Sequence, residues 1–287
     1  MIIGANKEKQ NICSMETVIT VIVENQGEAP LLAEHGLSLM VEYCRKTIPG
    51  RLLFDTGNGA AFAPNCKHLG IAGEKINHIA LSHGHRDHTG AVDACMPGAN
   101  LYCVPGIDRE RYSRHPERPV RPLTMPENCQ MVLKNMTVHW IRNCTEVLPG
   151  MYLTGPIPRV SGEDTGGPFF SDPEGRVADE IEDEQALLLD CGILIQGCSH
   201  AGIINTLTYC RQCCPDIPIH TVIGGLHLLH AGPQRLQQTA DALKQWNIKN
   251  LYLMHCTGED AVSFLKQALP DCRIETPHTG DRLCFTF

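Results

Sequence analysis

Leu81-Ser82-His83-Gly84-His85-Arg86-Asp87-His88-Thr89-Gly90 carries four potential metal ligands within six residues. His83 and His85 are two positions apart, so their side chains point the same way in an extended backbone. Asp87 and His88 follow at the first turn of a predicted helix, from which they can face the same point. Imidazoles with one carboxylate suit Zn, Fe, Mn, Co or Ni better than Ca or Mg. The stretch therefore predicts a site for one or two divalent cations.

The flanking residues predict the local structure of this stretch. Residues 76–81 are largely apolar and indicate a short buried strand, and a helix is expected over about 88–95. Packing alone does not explain so many ligands between a strand and a glycine. The pattern HxHxDH resembles the first metal motif of the metallo-β-lactamase superfamily.

Three further histidines follow predicted strands. His200 lies in Gly197-Cys198-Ser199-His200-Ala201-Gly202, directly before a helix predicted over 203–213. His227 follows a glycine pair, and His255 opens a short polar segment before another predicted helix. In two packed sheets with helices outside, such strand ends meet at one rim. We therefore expect these histidines to converge on the cation site.

Over nearly the whole chain, this arrangement resembles the metallo-β-lactamase fold, an α/β (α+β) αββα four-layer sandwich. Within that superfamily, the chain is most similar to an archaeal and anaerobic-bacterial branch. Members of that branch are often labelled 7,8-dihydropterin-6-methyl-4-(β-D-ribofuranosyl)aminobenzene-5′-phosphate synthases. The motifs that carry this closer resemblance are Glu34-His35-Gly36, Phe54-Asp55-Thr56-Gly57, Ser82 to Gly90, Thr154-Gly155-Pro156-Ile157-Pro158-Arg159, Asp183-Glu184-Gln185-Ala186-Leu187, Gly197 to Gly202, Gly224-Gly225-Leu226-His227 and His255-Cys256-Thr257-Gly258.

The resemblance implies a set of metal ligands for one or two divalent ions of Zn, Fe or Mn. The predicted ligands are His83, His85 and His200 for one ion, and Asp87, His88 and His255 for the other. The superfamily usually has a metal-bridging Asp after a mid-chain strand, but the corresponding turn here contains Cys198 and His200 instead. His227 is either an extra ligand or a proton donor to the leaving group, and Asp87 is a second candidate for moving protons.

The expected reaction is hydrolysis, or a related synthase reaction, through a metal-activated water. Three residues are predicted to bind an anionic substrate group, namely Ser199 and Gly202 at the helix start and Arg159. The resemblance implies a phosphate-bearing, pterin-like or phosphodiester small molecule. Two alternatives stay open: a thioester hydrolase of the glyoxalase II kind, and a non-catalytic metal or redox protein. Cleavage of nucleic acid is a weaker fourth option.

Composition limits the class of protein. The 287 residues predict one domain over 1–287, with an irregular insertion at about 156–183. The net charge of −8 argues against a nucleic-acid partner. No apolar run reaches the ~20 residues of a membrane span, and the first residues lack the pattern of a signal peptide. The expected partner is a small-molecule substrate, and the oligomeric state stays open.

Fifteen cysteines without a visible secretion signal favour reduced thiols and a cytoplasmic location. For the cluster of Cys210, Cys213 and Cys214, we favour unligated thiols on a helix over an iron–sulfur or zinc site.

Three further segments give expectations that a structure can test. Residues 107–128 carry five arginines, Arg109, Arg111, Arg114, Arg118 and Arg121, and are expected to form a solvated surface loop rather than a lid. Residues 131–141 are expected to form a strand. Asp55 either forms a turn or orients the metal-binding loop, and both roles stay open.

Overall fold

The computed structural model describes residues 16–45, 47–95, 97–114, 119–163, 165 and 167–287. Arg118 and the amino-terminal residues considered for a signal peptide lie outside this part of the chain.

Strands dominate the described residues. In chain order they are β1 (Glu16–Val23), β2 (Ser38–Arg45), β3 (Ile48–Phe54), β4 (His78–Ala80), β5 (Asn100–Cys103), β6 (Tyr112–Ser113), β7 (Arg121–Pro122), β8 (Thr137–Trp140), β9 (Thr145–Leu148), β10 (Met151–Leu153), β11 (Phe169–Phe170), β12 (Leu187–Leu189), β13 (Ile193–Gln196), β14 (Thr221–Gly224), β15 (Asn250–Leu253), β16 (Arg273–Glu275) and β17 (Arg282–Thr286). The α-helices are α1 (Phe62–His68), α2 (Arg86–Thr89), α3 (Glu127–Leu133), α4 (Ile203–Cys213), α5 (Pro233–Gln245) and α6 (Glu259–Ala268). Two short 3-10 turns cover Gly73–Lys75 and Val92–Ala94.

Two seven-stranded mixed sheets form the centre of the molecule. The first has the order β17-β1-β2-β3-β4-β5-β8, and the second has the order β16-β15-β14-β13-β12-β10-β9. In the first sheet β3, β4, β5 and β8 run parallel, and in the second β13 to β16 run parallel. The remaining pairs are antiparallel. Among them β2–β3, β9–β10 and β12–β13 are consecutive strands joined by short turns.

Alternating side chains on the strands create three apolar layers. Phe54 and Ile195 face the layer between the two sheets. The adjacent Leu53 faces the layer that includes residues of α1 and α3, and Leu194 faces the layer that includes residues of α4, α5 and α6. Full burial of each such side chain stabilises the fold by about 1.5–3 kcal/mol. The predicted αββα four-layer sandwich is confirmed.

A third, small sheet of the order β11-β6-β7 joins the segment around 107–128 to the insertion around 156–183. Arg111 lies beneath it, with its side chain 2% exposed. Its Nη2 is 2.7 Å from Asp183 Oδ1, and its Nε is 3.4 Å from Asp179 Oδ2. The expectation of a solvated loop is therefore wrong for Arg111, because two carboxylates of the insertion neutralise its buried charge.

Two local predictions also need correction. Residues 127–133 form helix α3 rather than the start of a strand, because Cys129, Val132 and Leu133 share one helical face that packs on the core. The helix expected over 88–95 stops at Thr89 and is followed by a 3-10 turn. Gly90 packs against the loop after β3, where a Cβ atom would lie 2.3 Å from the Asn58 carbonyl.

No helix among the described residues is both long enough and apolar enough to cross a bilayer.

Candidate metal centre

The candidate metal centre lies where the parallel strands of both sheets end. Asp55 follows β3, the 83–88 segment follows β4, His200 follows β13, and His227 and His255 follow β14 and β15. Because the carboxyl ends of parallel strands share one edge of a sheet, and the two sheets face each other, these side chains meet at one rim.

The backbone at this rim is strained. Four non-glycine residues have positive φ angles: Asp55 (59°), Ser199 (64°), His227 (49°) and His255 (54°). Each such conformation costs about 1–3 kcal/mol, and such residues cluster at functional sites. The surrounding fold therefore holds these positions against their local preference.

His83, His85 and His200 form a buried group that we call the inner cluster. One nitrogen atom of each lies within 4.8 Å of the others. His83 Nε2 and His85 Nδ1 are 3.0 Å apart. The three side chains that the sequence predicted for one cation are therefore neighbours in the fold.

A hydrogen-bond chain fixes the ring of His83. The Ser82 hydroxyl donates to Asp55 Oδ2 (2.7 Å), and the Ser82 backbone N–H donates to Asp55 Oδ1 (2.7 Å). Since the hydroxyl proton is committed to Asp55, His83 Nδ1 donates to Ser82 Oγ (2.9 Å). His83 Nε2 is then unprotonated and faces the other imidazoles. Asp55 was expected either to form a turn or to orient the metal-binding loop. These contacts correspond to the orienting role.

Burial keeps the inner cluster neutral. It lowers the pKa of His83, His85 and His200 well below that of a free imidazole, and neighbouring imidazoles lower it further. At pH 7 these rings therefore offer lone pairs to a cation rather than repelling it.

The inner cluster fits a divalent metal ion. Among the described residues, His85 Nε2 and His200 Nε2 are buried without a hydrogen-bond partner. Unpaired buried polar atoms are unfavourable, and a cation would satisfy the His200 nitrogen. Donor atoms of a tetrahedral zinc site lie about 3.3 Å apart, which is close to the spacing of the His83 and His85 nitrogens. Three histidines leave one coordination position open, as in catalytic sites.

Asp87 and His255 lie farther out, together with His35, and we call these three the outer cluster. Asp87 Oδ2 is 3.2 Å from His35 Nε2 and 3.3 Å from His255 Nε2. Burial alone would raise the pKa of Asp87, but His88 and the imidazoles of His255 and His35 hold it well below its usual range. Burial lowers the pKa of His255 to about 4, against the effect of Asp87.

His88 lies between the two clusters. Its Nδ1 is 2.7 Å from Asp55 Oδ2, and its Nε2 is 3.2 Å from Cys198 Sγ. Burial disfavours its charged form, but Asp55 and Asp87 raise the pKa of His88 to about 9. Among the described residues, the candidate ligand group that contains His88 consists of His83, His88 and Cys198. It contains neither Asp87 nor His255. The assignment of His88, Asp87 and His255 to one ion stays a prediction.

His227 is a neighbour of the inner cluster, with its ring centroid 4.6 Å from that of His200. Its Nδ1 donates to the Thr165 carbonyl oxygen over 2.9 Å. Burial, followed by the charge of Arg235, lowers the pKa of His227 to about 4. The ring is therefore neutral at pH 7, and its Nε2 accepts rather than donates a hydrogen bond.

The helix start predicted to receive a phosphate is occupied by carboxylates. Glu184 accepts the backbone N–H groups of His200 and Ala201, and Glu163 accepts that of Ile204. At Gly202, a Cβ atom would lie 2.1 Å from a carboxylate oxygen of Glu163. Ser199 is buried. The free N–H groups on which the substrate-binding prediction for Ser199 and Gly202 depended are thus taken by the protein itself.

Arg159 lines a cavity of about 200 Å³ beside His200. Its guanidinium donates to Thr165 Oγ1 (3.1 Å) and to the Glu180 carbonyl oxygen. Phe169 lines the same cavity, and its ring centroid is 4.9 Å from that of His85 and 5.0 Å from that of His200. The small third sheet thus places an aromatic ring against the inner cluster.

Sequence reasoning missed several residues of this centre. Phe169 gave no signal, because it lies in a segment with irregular composition. Arg111 was grouped with the arginines expected in a solvated loop. Glu184 and His35 each lie in a motif that the resemblance used, but neither received a role. The acidic pair Asp183-Glu184, shortly before the apolar residues 186–189, was the available signal for Glu184.

The comparisons with known proteins agree with this geometry. The sequence model described as the metallo-beta-lactamase superfamily matches residues 47–96. Tm1679, described as a metal-dependent hydrolase of the beta-lactamase superfamily, has a crystal structure that aligns with a TM-score of 0.81 and 28% identity, over 94% of this chain and 100% of that one. The fold is that of the metallo-β-lactamase superfamily, as the motifs predicted, and the matched residues include the 83–88 segment.

Two curated relatives come from Methanocaldococcus jannaschii. The first is a 7,8-dihydropterin-6-methyl-4-(beta-D-ribofuranosyl)-aminobenzene-5'-phosphate synthase, which is 29% identical over 273 residues, or 90% of this chain and 92% of the relative. The second is an uncharacterised protein that is 28% identical over 87% of this chain and 94% of its own length. The similarity to the predicted branch therefore extends over most of the chain.

Proposed function

We propose that the protein is a metal-dependent hydrolase that acts on a phosphate-bearing small molecule, either pterin-like or a phosphodiester. The observation that carries the proposal is the inner cluster, whose His200 Nε2 is buried without a partner beside a cavity lined by Arg159. Metal-assisted hydrolysis requires neutral metal ligands, an open coordination position and a positive group that binds the substrate. The three imidazoles provide the first two, and the guanidinium of Arg159 is the positive group.

The ligands for a resident ion are His83, His85 and His200. A divalent cation held there would supply Lewis acidity for the activation of water. Asp55 and Ser82 hold the ring of His83, so the ligand geometry is fixed before any ion binds. Because the Ser82 hydroxyl faces away from the metal-facing nitrogen, its contribution is to orient this ring.

His227 is the candidate for receiving a proton. Its Nδ1–H is held by Thr165, so Nε2 carries the free lone pair. A ring with this arrangement accepts a hydrogen bond or proton from a polar group beside His200. Donation to a leaving group would require prior protonation of this nitrogen.

Arg159 and Phe169 are the candidates for substrate binding. A guanidinium matches the geometry of phosphate oxygens, and the neighbouring aromatic ring can contact a planar substrate. The name of the curated Methanocaldococcus jannaschii relative contains a ribofuranosyl phosphate and a dihydropterin, which supports this substrate class. The description of Tm1679 as a metal-dependent hydrolase supports the reaction class.

The test is a substrate panel with metal-loaded protein. We expect turnover of phosphate mono- or diesters in the presence of zinc, iron or manganese, and none of S-lactoylglutathione. His85→Ala should lose the bound ion and the activity together, whereas His68→Ala, on the exposed end of α1, should lose neither. Turnover of the thioester alone would favour the glyoxalase II alternative. Normal metal content and normal turnover in His85→Ala would overturn the proposal.

We also propose a reducing, cytoplasmic setting, with a small-molecule substrate as the partner. The cysteines that the structure describes are all unpaired, including Cys210, Cys213 and Cys214. Unpaired thiols are typical of a reducing compartment.

A further inference from the structure

Three consecutive polar residues directly before β12, Asp183, Glu184 and Gln185, are buried beside the inner cluster. None of them is more than 3% exposed. Buried polar groups, and buried charges above all, are unfavourable unless they are paired or hydrogen-bonded. The partners of these three residues therefore indicate what the 183–185 segment does.

Asp183 holds the turn that carries His83 and His85. The backbone N–H of Gly84, the residue between these two histidines, donates to Asp183 Oδ2 over 2.9 Å. Gly84 is also tightly packed, since a Cβ atom there would lie 2.2 Å from the Ile107 carbonyl oxygen. The carboxylate and this packing together fix the backbone from which both imidazoles project.

Gln185 holds the residues that precede this turn. Its backbone N–H donates to the Ser82 carbonyl oxygen (2.8 Å), and its side-chain Nε2 donates to the Leu81 carbonyl oxygen (2.8 Å). Together with the bond between Asp183 and Gly84, these contacts attach the 183–185 segment to residues 81–84 at three points. The segment therefore cannot shift without moving the turn of two metal ligands.

Glu184 holds the turn that carries the third imidazole. Its Oε1 accepts the backbone N–H of His200 (2.6 Å), and its Oε2 accepts that of Ala201. The neighbouring Asp183 is fully partnered as well, because Arg111 Nη2 donates to its Oδ1 over 2.7 Å. Two adjacent carboxylates thus connect the two ligand-bearing turns of the inner cluster, which are more than 100 residues apart in the chain.

We propose that Asp183 and Glu184 are positioning residues that set the spacing of His83, His85 and His200. Both act through backbone N–H groups, so the imidazole nitrogens stay free for an ion. Because a cation requires its donor atoms at fixed distances, loss of either carboxylate should weaken metal binding although no ligand is removed. The inference rests on the proposed function, in that the inner cluster must bind a cation.

The test measures metal binding rather than turnover. Metal-free protein is titrated with cobalt(II), whose visible absorption reports its coordination geometry, and His85→Ala identifies the binding event of the inner cluster by its loss. Asp183→Asn and Glu184→Gln keep the size of each side chain but turn one acceptor oxygen into an N–H donor that faces another donor. In each variant the inner cluster should bind cobalt at least about tenfold more weakly, with a shifted absorption.

The matched control is Asp190→Asn, at the other end of β12. Asp190 Oδ2 is 2.6 Å from Arg45 Nε, and its other oxygen accepts the Tyr43 hydroxyl, so this carboxylate supports the fold away from the ligand turns. The control should unfold at a lower temperature but bind cobalt with the wild-type affinity and absorption. Circular dichroism and thermal unfolding of the metal-free proteins measure the effect on the fold separately.

Hydrogen exchange in the metal-free wild type tests the same inference without a variant. The backbone amides of Gly84, His200 and Ala201 should exchange at least about tenfold more slowly than amides of exposed loops. Exchange at the rate of exposed loops, or wild-type cobalt affinity in either carboxylate variant, would overturn the inference and leave the metal-dependent hydrolase standing. A wild type that binds cobalt but hydrolyses no ester would contradict the hydrolase alone, and a wild type that binds no ion would contradict both.

Discussion

The inner and outer clusters are built from similar ligands but in different environments. The inner cluster is fully enclosed, contains only imidazoles and is oriented by a buried carboxylate and hydroxyl. The outer cluster includes a carboxylate, and its side chains range from 1% exposed at His255 to 55% at His35. The comparison indicates that burial of all ligands suits an ion that stays bound, whereas partial exposure beside a larger cavity suits an ion that exchanges its ligands.

Removal of an inner ligand should have the largest effect. His200→Ala removes one of three imidazoles, so the inner ion should be lost and turnover should fall by about 1,000-fold or more. Turnover and bound metal are measured together on the same preparation. Retention of both the ion and the rate would show that the inner cluster is not the catalytic site.

Asp55→Asn should weaken the inner cluster and the fold at once. Asp55 contacts Ser82 and the buried His88, so the loss of its charge should lower the free energy of unfolding by about 3 kcal/mol. The affinity of the inner cluster for metal should fall by about 10- to 100-fold. Urea unfolding and metal titration measure the two effects, and unchanged values would remove the orienting role of Asp55.

Asn25→Ala should act on the outer cluster alone. The variant frees the Gly36 N–H and His255 Nδ1, so the second ion should bind about tenfold more weakly while the first is unchanged. Cobalt titration resolves the two binding events. An equal loss at both clusters would contradict the separation between them.

The pH dependence of metal binding at the inner cluster should be the smallest effect. An imidazole with the ordinary pKa of 6.5 gains a proton as pH falls through that value, and the proton competes with metal. Because burial lowers the pKa of all three rings, they have no proton to displace at pH 6 or at pH 7.5. The affinity should therefore change by less than about twofold over this range. A steady loss of affinity below pH 7 would show that the rings titrate normally.

The fold and the ligands of the inner cluster were predictable from the sequence because its motifs resemble those of a known superfamily. His83 and His85 are two positions apart at a strand end, and His200 follows another strand, so periodicity and topology together place them near one another. Local patterns of this kind depend only on residues that are close in sequence. They can therefore be recognised before the tertiary contacts are known.

The partners of these residues could not be predicted, because they depend on contacts between distant segments. Glu184 takes the helix start that a phosphate was expected to occupy, and Arg111 is buried only because Asp179 and Asp183 fold over it. His35 meets Asp87 through the packing of two loops. None of these pairings leaves a periodic signal in the sequence.

The central claim is that the inner cluster binds a divalent cation, and anomalous X-ray scattering tests it most directly. Crystals grown with zinc, measured on both sides of the zinc absorption edge, should show an anomalous peak within bonding distance of His83, His85 and His200. A map without a peak at this position, from protein that retains zinc by elemental analysis, would contradict the account.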